Sequence, residues 1–396
     1  MDAAAPASGP RSAPSRAPAG INRNIVALGL TSLFTDVSTE MIVPVLPLFV
    51  TGTLKASVAS LGVIEGVAES TAALLRLASG WLSDRIGRRK PFLIFGYGLS
   101  SVAKAALALA GSWPAVLGLR FSDRVGKGLR NPPRDALIAD SVEPRHLGRA
   151  FGFHRALDTL GAAIGPLVAF AMLGAYPGGY RRIFLLSALP AALALVVLAT
   201  LVRAPSREAG RRYRSLREGA RELGSPFYRL LAVAGLFSLA SSSTAFLLLL
   251  ASRVGFASRA VPLLYLLYNL VYAALSWPVG ILSDRVGRRP MLLAAYLVFA
   301  GIYGALAWRS QPGLVVAGFA LLGVHSALLE GSQRSLVGDL APAGSRAPAR
   351  ERGGRLAVGP RGRARDVRAR RRAGARGGAA VRAAAARARR MGGPGA

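Results

Sequence analysis

The chain of 396 residues is 52% hydrophobic yet carries a formal net charge of +32. That combination excludes an ordinary soluble globule and fits a membrane protein, whose apolar spans and cationic flanks occupy separate stretches of sequence. The absence of cysteine excludes disulfides, thiol chemistry and Cys-based metal sites.

Residues 1–20, rich in Ala, Pro, Ser and Arg without an apolar core, read as a disordered cytoplasmic leader rather than a signal peptide. A spanning helix needs about 20 mostly apolar residues. Ten stretches meet that length: 24–50, 58–82, 91–111, 113–140, 150–173, 182–202, 227–250, 260–283, 290–308 and 312–339. The expected domains are a six-helix bundle at 21–202, an Arg-rich cytoplasmic linker at 203–226, a four-helix bundle at 227–340 and a disordered basic tail at 341–396. A basic balance is also the footprint of nucleic-acid binding. The apolar segments are too many and too long for that to be the main function, so no nucleic-acid partner is expected.

Charges inside the spans are the next signal. Asp36 and Glu40 lie one turn apart in span one, and Glu65, Glu69 and Arg76 share a face of span two. At 1.5 Å per residue, Asp36 and Glu69 sit about 15–20 Å from their helix starts, near mid-membrane. Each such charge costs about 2.5–3.5 kcal/mol on insertion scales, so several together imply a polar cavity or mutual pairing. In span four, Arg120, Asp123, Arg124 and Lys127 follow helical spacing along one face; in span five, Arg155 and Asp158 are three apart. One reading makes these residues a buried ion-pair lattice, above all Arg120–Asp123 and Arg155–Asp158. The other makes one or two carboxyls proton carriers, with Glu65, Glu69 and Asp36 preferred. A carboxyl at this depth changes its proton affinity when water or an arginine reaches it, which is what proton coupling requires.

Between spans two and three runs "GWLSDRIGRRKPFL" from Gly80, and between spans eight and nine "GILSDRVGRRPMLL" from Gly280. Each repeats the same charged knot. Lys and Arg mark cytoplasmic loops, and the knots, the loop with Arg145 and Arg149, and the linker hold more of them than the opposite loops do. Both knots and the N-terminus are therefore expected inside. Span eight presents Tyr265, Tyr268, Asn269 and Tyr272 at i, i+3, i+4 and i+7. These form either an interfacial aromatic belt or a cavity wall for a partly apolar substrate; Tyr272 lies some 18 Å in by helical rise, which favours the wall. Glu330 and Gln333 of span ten are possible partners across that cavity. From Ala343 onward, 46 of 54 residues are Ala, Gly, Pro or Arg. These are the four residues encoded by codons of G and C alone. The repeat also stops where an eleventh helix is due. A reading frame shifted in a GC-rich gene is expected there, the alternative being a genuine basic tail.

The duplicated knot resembles the signature of the major facilitator superfamily, G-x-x-x-D-R-x-G-R-R/K between helices two and three. Gly80, Asp84, Arg85, Gly87, Arg88 and Arg89 fit it, and Gly280, Asp284, Arg285, Gly287, Arg288 and Arg289 fit the second copy. "RFSDRVGKG" from Arg120 loosely resembles the family's helix-four signature, with Arg124 where a glycine is usual. Gly152, Gly161, Gly165 and Pro166 resemble the helix-five motif of the antiporter branch, with Ala169 and Phe170 in place of its closing glycines. The resemblance covers about residues 21–345. It implies an all-α membrane protein with two homologous six-helix bundles, the second lacking its last two helices. It also implies that the knot is a cytoplasmic latch, Asp84 pairing with arginines and a helix N-terminus when the inner gate closes. The plainer alternative is a topological anchor.

The expected function is proton-coupled efflux of small organic compounds by alternating access in a bacterial inner membrane, by a monomer. The expected partners are a small-molecule substrate, protons and the bilayer, with no cofactor, no metal and no enzymatic chemistry. An uptake symporter and a non-transporting membrane protein are the alternatives.

Overall fold

The computed structural model describes residues 21–203 and 224–340. The leader at 1–20, the greater part of the linker and the tail at 341–396 lie outside the described residues. No strand occurs among those described.

The first span opens as α1 (Arg23–Ile42), capped by the Asn22 side chain, which accepts the Ile25 N–H. The hydroxyls of Thr31, Thr35 and Thr39 each donate to the carbonyl one turn back, so this polar face needs no outside partner. Pro44 interrupts the helix, and the span resumes as Leu46–Leu48 and a π-helical turn, Phe49–Thr53. There follow α2 (Val58–Ile86), α3 (Lys90–Ala106), α4 (Trp113–Asp140), α5 (Leu147–Ala175) and α6 (Tyr180–Leu201). Beyond residue 223 come α7 (Ser225–Ala240), α8 (Thr244–Arg253), α9 (Val261–Val286), α10 (Arg288–Trp308) and α11 (Pro312–Leu340).

Two expectations need correction. The seventh span is not one helix: the chain unwinds at Ser241–Ser243, Ser241 and Ser243 being extended, and α8 restarts with the Ser243 hydroxyl accepting the Ala245 N–H. Three consecutive serines supply local hydroxyl partners that compete with the helix ladder. The first knot does not begin at residue 82 as a loop either. α2 runs on to Ile86, so Asp84 and Arg85 are helical. The turn comes at Gly87, whose φ of +70° places it in the left-handed region where glycine terminates helices.

Among the described residues, nine segments are long and apolar enough to cross a bilayer. The tenth expected span, α4, is equally long but too polar by hydropathy, and its charges are accommodated inside the protein. It also carries Pro132 and Pro133 mid-helix. Pro132 has no N–H to offer the Gly128 carbonyl one turn back. Ser79 of α2 replaces it, its hydroxyl donating to that carbonyl at 2.7 Å. Ser79→Ala should therefore leave a buried carbonyl unsatisfied and lower stability by about 1–3 kcal/mol, measurable by thermal unfolding in detergent beside Ser122→Ala at an exposed site.

Packing is asymmetric along the membrane normal. At the end away from the knots, one hydrophobic cluster runs through both halves, joining Phe49, Leu61, Val116, Phe184, Leu248, Leu264 and Phe319. Phe49 meets Phe184 edge-on with centroids 5.1 Å apart. At the knot end the core divides. One cluster (Ile25, Leu28, Tyr97, Ile138, Leu198) belongs wholly to the first half, and another (Val279, Met291, Ala295, Leu328) to the second. The halves share one apolar core at one end, and at the other their cores are separate.

Candidate functional site: a polar cavity between the two halves

Polar space fills the region between the shared core and the knots. One cavity of about 820 Å³ is walled by Asp36 and Glu40 (α1), Lys127, Arg130 and Arg134 (α4), Arg155 and Asp158 (α5), Tyr265, Tyr268, Asn269 and Tyr272 (α9) and Glu330 (α11). A second, of about 830 Å³, is lined by Glu65 and Glu69 (α2), Arg120 and Arg124 (α4), the Ser241–Ser243 break and Gln333 (α11). Glu40, Lys127 and Tyr265 line both and so stand between them. Both volumes fall in the range of small-molecule sites.

Glycines let the carboxylate-bearing face of α1 come close to α5. A Cβ on Gly161 would sit 2.7 Å from the Leu33 carbonyl oxygen and 2.9 Å from the Asp36 Cβ; one on Gly165 would sit 2.7 Å from the Glu40 Cβ. Pro166 is buried in the same stretch of α5. Gly152, the remaining glycine of the helix-five motif, has open space around its Cβ position. Gly323 of α11 does the same for the tyrosine stripe, approaching the Tyr268 carbonyl within 2.8 Å by that measure.

Four charges of the second cavity, Glu65, Glu69, Arg120 and Arg124, are paired. Arg120, 4% exposed, reaches Glu65 at 3.0 Å and Asp123 at 3.6 Å. Asp123 also accepts the Ser100 hydroxyl. Arg124 binds Glu69 at 3.2 Å, although the Glu69 side chain is 61% exposed. A Ser243 hydroxyl donates to Glu65 at 3.4 Å, tying the break in the seventh span to α2. The shared face expected for Glu65, Glu69 and Arg76 is divided: Arg76 lines the first cavity, the two glutamates the second.

The expected Arg155–Asp158 pair does not form. Arg155 reaches across to the other half, where it contacts the Tyr272 hydroxyl and lies 3.4 Å from Glu330. Tyr272 in turn contacts Glu330. Asp158 sits 3.5 Å from His154, one turn back. Three and four residues are equivalent distances on a helix face, so spacing alone did not choose between these partners.

In the first knot, Arg89 holds Asp84 at 3.2 Å and contacts Asp140 at the end of α4, so the pairing stays within one half. Arg85 lies over the Trp81 ring, Arg88 is exposed, and Gly80 abuts Pro132. In the second knot Asp284 is exposed, Arg288 is half-buried at the start of α10, and Gly287 again has positive φ, +98°.

Two buried cations escaped the candidate residues read from sequence. Lys104 of α3, 3% exposed, donates to the Thr39 hydroxyl at 2.7 Å. Arg130 of α4 lies 4.3 Å over the Tyr97 ring. A lone lysine within an otherwise apolar span was the signal for the first; Arg130 continues the helical series from Lys127.

A polar chamber between two helical halves, with a shared apolar core at one end and separate cores at the other, is the construction of a membrane carrier. The sequence profile of the Major Facilitator Superfamily matches residues 28–350. An uncharacterized MFS-type transporter of Methanocaldococcus jannaschii is 34% identical over 336 residues, 83% of each chain. The multidrug resistance protein MdtG of Proteus mirabilis is 30% identical over 190 residues, 47% of this chain and 46% of that one. Among solved structures, a nucleoside transporter aligns with a TM-score of 0.64 at 13% identity, covering 80% of this chain and 82% of that one. A bacterial homolog of the human lysosomal transporter Spinster, inward-facing and occupied, aligns with a TM-score of 0.60 at 19% identity, covering 80% and 77%. The chain belongs to the major facilitator superfamily, and is a multi-span membrane transporter, not an enzyme.

Proposed function

We propose that this carrier exports small organic solutes from the cytoplasm across a bacterial inner membrane, driven by protons entering in exchange. It works as a monomer whose halves, 21–202 and 227–340, rock about the cavity. The observation that carries the reading is the placement of Asp36 and Glu40 on one face of α1, in the cavity wall and pressed against glycines of α5. Engagement of Glu65 by Arg120 and of Glu69 by Arg124 moves the coupling role from those glutamates to the α1 pair. Export is supported by the relatives named as multidrug resistance proteins. The arginines of the knots favour a cytoplasmic location for the end where the cores divide. In that arrangement Asp84, held by Arg89 within its own half, is the latch in its released position.

The test is flux in proteoliposomes containing the full chain, with and without a pH gradient. Glu40→Gln should reduce gradient-driven flux by at least about tenfold, the scale of one lost proton-transfer group, while solute binding persists. Gradient-driven flux at the parent rate would remove the coupling role, and loss of the folded protein would return Glu40 to a structural one.

A further inference from the structure

We propose that the first cavity selects zwitterionic solutes, taking the anionic end on Lys127 and Arg130 and the cationic end on Asp36. This rests on the reading of that cavity as the substrate site and names the chemistry it accepts. The wall carries five carboxylates and five cationic side chains, so it offers no net charge to attract an ion of either sign. Part of that complement is already internally matched, Arg134 with Asp135 at 2.9 Å and Arg155 with Glu330 at 3.4 Å.

Lys127, Arg130 and Asp36 are different. All three line the cavity, yet none has an ion-pair or hydrogen-bond partner among the described residues. Arg130 is 5% exposed, its Nη1 is buried without a partner, and its stacking on Tyr97 fixes the guanidinium in place. Lys127 and Arg130 are one turn apart on α4, and Asp36 stands on α1. A cation and a carboxylate meant only to hold helices together would close to contact, as Arg120 and Glu65 do at 3.0 Å. These stay apart, and the space between them is cavity.

A solute bringing only a positive charge would serve Asp36 but add repulsion to Lys127 and Arg130; one bringing only a negative charge would do the reverse. A solute with both ends satisfies both sides without changing the net charge. The apolar part of the solute has its own wall. Tyr265, Tyr268 and Tyr272 form a ladder with ring centroids 5.6 and 6.4 Å apart, the last two rings only 9° from parallel. Such flat faces suit an aromatic or planar group.

The experiment uses three probes with one ring and different charges: phenylalanine, phenethylamine and 3-phenylpropionate. Binding to the purified full chain is measured at neutral pH by calorimetry, without any gradient. Phenylalanine should bind at least about tenfold more tightly than either singly charged analogue, the equivalent of one good charge contact. Lys127→Met should weaken phenylalanine and, by removing a like charge, strengthen phenethylamine, so that the gap between the two closes. Arg130→Gln serves the same comparison if the first variant does not fold. Equal binding of either singly charged probe, or no binding of phenylalanine at millimolar concentration, overturns the proposal. Preference for phenylalanine without proton-driven flux in the proteoliposome assay would instead refute the proton-coupled export reading and leave the selectivity standing.

Discussion

Arg120→Met should be among the most damaging single substitutions in the protein, lowering stability by about 3–5 kcal/mol. The side chain is 4% exposed and its guanidinium is shared between Glu65 at 3.0 Å and Asp123 at 3.6 Å. Methionine fills much of the volume but leaves Glu65 and Asp123, 12% and 5% exposed, without the guanidinium they share, and that uncompensated charge is the source of the loss. Glu69→Gln provides the contrast. Its partner Arg124 is buried, but Glu69 itself is 61% exposed, so solvent screens the pair and a change under about 1 kcal/mol is expected. Thermal unfolding in one detergent would rank the two. Equal losses would mean that the lattice does not depend on burial.

The second large effect concerns α5. Gly165→Leu should prevent α1 from seating and cost more than the usual 1–3 kcal/mol or so of an overpacked site. The clash is with main chain: a Cβ at 165 would lie 2.8 Å from the Glu40 carbonyl carbon and 2.9 Å from the Met41 nitrogen, and neither can swing aside. Gly152→Leu, in the same motif and the same helix, meets open space and should be tolerated. The pair of variants separates close packing from conformational freedom, because neither glycine has a positive φ. If Gly152→Leu is as harmful as Gly165→Leu, the contact between α1 and α5 is not what the motif preserves.

The helices were legible because a bilayer imposes a length and a polarity that few sequences meet by accident. α4 was legible for a different reason: its charges recur with helical spacing even though its hydropathy falls short. The tyrosine stripe and the α1 carboxylates could be placed on faces by period alone. What period cannot supply is depth and rotation relative to other helices. Spacing therefore assigns Arg155 to Asp158 on its own helix, whereas its reach takes it to Glu330, 175 positions away. The break at Ser241–Ser243 was obscured by the apolar residues on either side. Ser79 carried no visible mark at all, since its role depends on a proline 53 positions later in another helix.

The equal numbers of carboxylates and cations in the first cavity also have an electrical meaning. Moving one uncompensated charge through a membrane potential of 100 mV involves about 2.3 kcal/mol. With five of each sign, the formal charges of the wall cancel, and in the proposed alternating-access cycle turning that wall from one face of the membrane to the other would move no net formal charge through the field. In the proposed exchange, only the charge that a proton or solute brings with it would be felt as current.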